Sequence, residues 1–104
     1  MTSSKLTSVE VLERALELFG PDGERWANKS PIGDEHCSVT ALAKIAVLLS
    51  PSYMKAKSLV RRGAGLKDSE SLSYWNDAHT FPEVRAAFLK AIELAKAEQE
   101  AAHV

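Results

Sequence analysis

HCSVTALAKIAVLL, residues 36–49, is the longest apolar run in the chain and holds its one cysteine. Across 39–49 only Thr40 and Lys44 interrupt valine, alanine, leucine and isoleucine, so a helix here is apolar nearly all round and is expected to be covered on more than one side. Crossing a bilayer takes roughly 20 apolar residues; this run is shorter and carries a lysine. The stretch predicts the central helix of a small domain, packed by the first and last helices of the chain. No membrane partner is expected.

Working outward, Thr7 and Glu10 have the spacing of a capping box, in which the hydroxyl accepts from the Glu10 amide and the carboxylate returns to the cap. Val9, Leu12, Leu16 and Phe19 follow at helical spacing until Gly20 and Pro21 stop the helix. Residues 53–62 read as a weaker amphipathic helix beyond the break at Pro51, and Asp68 or Ser69 is placed to cap a short helix carrying Leu72 and Trp75. Thr80 and Glu83 form a second capping box with Pro82 in the first turn. Val84, Ala87, Phe88, Ala91, Ile92 and Ala95 then give the last long helix its buried stripe, widened by Leu89. No stretch alternates as a strand does. The expected fold is an all-α, single-domain bundle of four to five helices over 1–104, with ends near 1–6 and 97–104 that protrude or fray.

Length and charge agree with one domain. The chain has 104 residues, with 13 basic and 14 acidic side chains and a formal charge of −1, so no global field draws it to nucleic acid, a membrane or an acidic ligand. One cysteine cannot form an intramolecular disulfide, and the N-terminal residues lack the basic-then-apolar pattern of a secretory leader, which predicts a reducing cytoplasm.

Three features are candidates for function. The loop 21–35 is long for so small a domain, and Trp26 and Ile32 are its apolar anchors; Trp26 either staples the loop to the core or walls a partner site. Lys55, Lys57, Arg61, Arg62 and Lys67 make the one locally basic region, with no acid before Asp68. Of these, Lys55, Arg61 and Arg62 join Trp26 as candidate partner-binding residues, and 55–67 is where nucleic acid would bind, although a solvated helix face is the simpler account. Cys37, His79 and Asp77 supply the residue types of a thiol nucleophile, its base and an orienting group, and a cysteine opening a helix sits near the positive end of the dipole. Against this, free cysteine commonly packs as a small hydrophobe. His36, Cys37, His79 and His103 lack the paired spacing of a structural zinc site, and residues 63–65 lack the strand and lysine of a phosphate loop. No metal or cofactor is expected.

Trp26, Cys37 with Ala41 and Leu42, Trp75-Asn76-Asp77, and Thr80 with Glu83 and Val84, in that order, resemble a family of small uncharacterised bacterial and phage proteins known only as a domain of unknown function. In that family the cysteine helix resembles Cys-x-x-Gly-Ala-Leu; here Thr40 stands at the glycine position. The family has no assigned activity to carry over, and its context implies at most an accessory or anti-defence role. The reading favoured by the residues is a small helical interaction protein that binds another macromolecule, with a protein as the expected partner. The alternative is a cysteine-dependent hydrolase or transferase using Cys37 with His79.

Overall fold

The computed structural model of the protein describes residues 6–28, 33–67 and 69–102. It folds them into five helices: α1 (Ser8–Leu18), α2 (Ser38–Ile45), α3 (Pro51–Gly63), α4 (Leu72–Ala78) and α5 (Phe81–Ala102). The chain is all-α, and the only β pairing among the described residues is one parallel bridge between Trp26 and His36. Ile32, Asp68 and His103 lie outside the described residues, as do residues 1–5 of the N-terminal end.

Helix α1 forms where its pattern places it. Thr7 Oγ1 accepts from the Glu10 amide at 3.2 Å and the Glu10 carboxylate accepts from the Thr7 amide at 2.9 Å, completing the capping box. No basic residue stands in its last turn. Arg25 supplies the missing positive group by donating from Nε to the Leu18 carbonyl at 3.1 Å. Val11, Leu12, Ala15 and Phe19 are fully buried.

The heart of the bundle is α3 against α5, with α1 laid on both. Small residues make this possible. Ala56 on α3 and Ala95 on α5 are buried, Gly63 on α3 meets Ala87 and Ala91 on α5, and a Cβ built on Gly63 would stand 2.4 Å from the Ala87 carbonyl oxygen. The stripe Val84, Ala87, Phe88, Ala91, Ile92 and Ala95 is buried as its spacing predicts. Phe88 meets Phe19 edge to face, with ring centres 5.4 Å apart. Beyond Ala95, α5 stays helical to Ala102 and residues 96–101 are exposed, so this end protrudes as helix.

The run 36–49 behaves differently from its expectation. Helix α2 covers only Ser38–Ile45 and packs chiefly on α1, with lesser contact to α3 and α4, so it is peripheral to the α1, α3, α5 core. Only Ser38, Ala41 and Leu42 within it are buried. Ala46 is extended, and the next three residues form a turn closed by the Ser50 amide on the Val47 carbonyl at 2.9 Å. Pro51 sets the far end of this turn: the residue before proline is held in the extended region, and Ser50 there (φ −69°, ψ 161°) caps α3, so α2 cannot continue into α3. Val47, Leu48 and Leu49 are left in solvent, 67%, 58% and 72% exposed.

Two smaller corrections concern caps. Ser71, not Asp68 or Ser69, caps α4 by accepting from the Tyr74 amide. At Thr80 only half of the box forms: the Glu83 carboxylate accepts from the Thr80 amide at 2.8 Å, but the Thr80 hydroxyl turns to that same carboxylate at 3.2 Å rather than to the Glu83 amide.

Candidate functional site

Asn76 is the side chain that ties the candidate residues together. It is fully buried on α4, where its Oδ1 accepts from Trp26 Nε1 at 2.9 Å, from the Ser38 amide at 3.0 Å and from the Ser38 hydroxyl at 2.6 Å. Its Nδ2 donates to the Ala27 carbonyl at 3.0 Å. An Asn-Asp pair is an ordinary turn signal, in which the side chain bonds nearby backbone. The partners instead lie 38 to 50 residues away, so one amide pins the 19–28 loop, the start of α2 and α4 to each other. Ser38 had no sequence signal of its own; as the first residue of α2 it is buried, and it reveals its role only through Asn76.

Trp26 is half-buried, its indole N–H spent on Asn76 and its ring 6.2 Å from that of Phe81. The Phe81 ring covers Gly23, whose positive φ of 74° and missing Cβ are both needed there, since an added Cβ would stand 2.4 Å from the ring. The loop is therefore stapled down through Trp26. The bridge to His36 adds two backbone bonds, His36 N to Arg25 O at 2.7 Å and Ala27 N to His36 O at 3.0 Å. Burial, and then the positive charge of Lys44, hold the His36 imidazole below its ordinary value.

Cys37 caps α2. Its Sγ accepts from the Thr40 amide at 3.5 Å, and the Thr40 hydroxyl accepts from the Cys37 amide at 2.8 Å, a reciprocal cap. The thiol is buried against α3, where burial and then Cys37 itself push the Tyr53 phenol up. His79 is turned elsewhere: its Nδ1 lies 2.7 Å from the Trp75 carbonyl oxygen and its ring stacks on Trp75 at 4.5 Å. Trp75 is half-buried. Asp77 is exposed and meets only the Asn76 amide, at 3.5 Å. Among the described residues no hydrogen bond links Cys37 to His79 or Asp77, and no group of three histidine, cysteine or carboxylate side chains is placed to hold a metal.

The basic region is answered from within the fold. Glu98 on α5 takes Lys55 at 2.8 Å and Arg62 at 3.3 Å, and this pairing holds the Glu98 carboxyl below its ordinary range. Arg61 donates to the Lys67 carbonyl at 2.6 Å and to that of Glu70, fastening the chain after α3. Lys57 lies over the Tyr53 ring, 5.8 Å from its centre.

What remains open is apolar. Leu49 holds φ at 66°, the left-handed region that leucine rarely adopts, and its side chain points into solvent with those of Val47 and Leu48. Met54, one turn into α3, is half exposed. Elsewhere, α1 and α5 leave an open groove of about 760 Å³ between them, lined by Leu16, Phe81, Leu89 and Ile92. Glu13 and Glu17 stand on its α1 rim, Arg85 and Lys96 on its α5 rim. Neither the exposed turn nor the groove was legible in the sequence, because 36–49 read as one covered helix and Leu89 as part of a buried stripe. Comparisons of the chain with protein-family models, with curated proteins and with solved structures found no match.

Proposed function

We propose that the protein is a binding module that engages another protein through its exposed apolar turn at 47–49, and that it is not a catalyst. The observation that supports this reading is the turn itself. Three consecutive aliphatic side chains are held out of the core, one of them by a backbone conformation that costs free energy in isolation. Large apolar side chains grouped in solvent mark interaction surfaces more often than single exposed ones do. The candidates Cys37, His79 and Trp26 have partners within the chain: Cys37 caps α2, His79 binds the Trp75 carbonyl and Trp26 binds Asn76. Lys55, Arg61 and Arg62 all have partners inside the chain, which favours the turn over the basic region and a protein over nucleic acid. A reducing cytoplasm suits a protein whose only thiol serves as a cap. An accessory or anti-defence role would be one use of such a module and rests on the family resemblance alone.

The test is capture of partners from the native host with tagged wild-type protein and with Leu48→Asp and Cys37→Ala. Leu48→Asp should lose the captured protein while melting normally, and Cys37→Ala should keep it. If Cys37→Ala melts normally and loses all biological activity, the thiol-dependent hydrolase or transferase becomes the leading reading.

A further inference from the structure

The exposed turn and the α1/α5 groove share no residue, and they are opposite in form. One is convex, with Val47, Leu48 and Leu49 at its tip; the other is concave, with Leu16, Phe81, Leu89 and Ile92 as its apolar lining. They are also complementary in charge. Residues 36–67 contain no aspartate or glutamate, and Lys44, exposed three residues before Val47, has no hydrogen bond or ion pair among the described residues, whereas Lys55, Arg61 and Arg62 have partners within the chain. The α1 rim of the groove carries Glu13 and Glu17, and no hydrogen bond or ion pair among the described residues engages the Glu17 carboxylate. Glu13 meets Lys96 only at the 4.0 Å limit of an ion pair.

From this complementarity we infer that the 47–49 turn of one copy docks into the α1/α5 groove of a second copy, joining chains head to tail. The inference rests on the reading of the turn as a docking element and names its occupant. Arg85 on the far rim fixes the orientation: the lysine flank of the incoming turn lies against α1, away from α5. Because the two surfaces differ, the contact is heterologous, and each added copy leaves one turn and one groove free for the next. Two convex turns cannot enclose each other's side chains as the concave groove can, so a symmetric turn-to-turn dimer is the poorer use of this surface.

Sedimentation of the full chain at rising concentration should show a weight-average mass climbing above the 11.3 kDa of one copy. Leu48→Asp destroys the turn and Leu89→Lys the groove, both at solvent-accessible positions, and each variant alone should stay at the mass of one copy at every concentration. An equimolar mixture of the two should rise twofold in mass and stop, since the pair formed exposes only the ruined turn and the ruined groove. That recovery also proves both variants folded. A mixture that stays at one copy, or a wild-type chain that never exceeds it, overturns the inference. If the wild-type chain is a monomer and Leu48→Asp still loses a host protein, self-docking fails while the binding reading stands. If Leu48→Asp alters neither mass nor capture, both fail.

Discussion

Asn76 carries more of this fold than any other polar side chain. Three donors converge on its Oδ1, and two of them, on Ser38, are fully buried. A buried donor left without a partner costs about 1–3 kcal/mol. Asn76→Ala strands the Trp26 indole and both Ser38 donors at once, so it should destabilise the protein by about 3 kcal/mol or more, read by denaturant unfolding. Its neighbour Asp77 is exposed, and Asp77→Ala should change stability by under about 0.5 kcal/mol. Equal effects at the two positions would show that the convergence on Oδ1 has no energetic weight.

At the level of elements, the packing of α3 on α5 depends on what is absent. Gly63 is helical with an ordinary φ, so conformational freedom is not its purpose; the Ala87 carbonyl and the Ala91 amide occupy the space a side chain would need. Alanine would gain up to about 1 kcal/mol in helix propensity at an unconstrained site. Here its methyl must push α3 away from α5, and overpacking of this kind costs about 1–3 kcal/mol. Gly63→Ala should therefore lower stability by about 1 kcal/mol, whereas an increase would show that the helices can separate without loss. The cap residues show the same dependence of an element on its ends: Cys37 opens α2, and Ser50, held extended before Pro51, opens α3.

For the molecule as a whole, acid is the informative stress. Glu10 and Glu83 are held below the ordinary carboxyl value of 4.5 by the Thr7 and Thr80 backbone bonds, and Glu98 by Lys55. As pH falls below 4.5, the unfolded chain takes up these protons before the folded one does, so the stability contributed by the three carboxylates is lost in that range and is fully present above it. The melting temperature should decline from about pH 5 downward, and Glu98→Gln should make that decline shallower. A melting temperature that does not change with acid would remove these carboxylates from the account of stability. The same three residues join Thr7 to α1, Thr80 to α5 and α3 to α5, so the loss is distributed over the bundle.

The sequence alone determined the helical class, the capping box at Thr7, the stop at Gly20 and the buried stripe of α5, because each depends on residues within one or two turns of one another. It supplied Trp26, Cys37 and Asn76 as residues of interest through spacing and resemblance, but not their roles. Those depend on partners far along the chain: Asn76 on Ser38 and Trp26, Lys55 and Arg62 on Glu98, Gly63 on Ala87. Tertiary structure also decided which apolar residues would be covered. Hydrophobicity sets how much a side chain gains from burial, but the turn between α2 and α3 leaves Val47, Leu48 and Leu49 in solvent, so an apolar run that read as core became exposed surface.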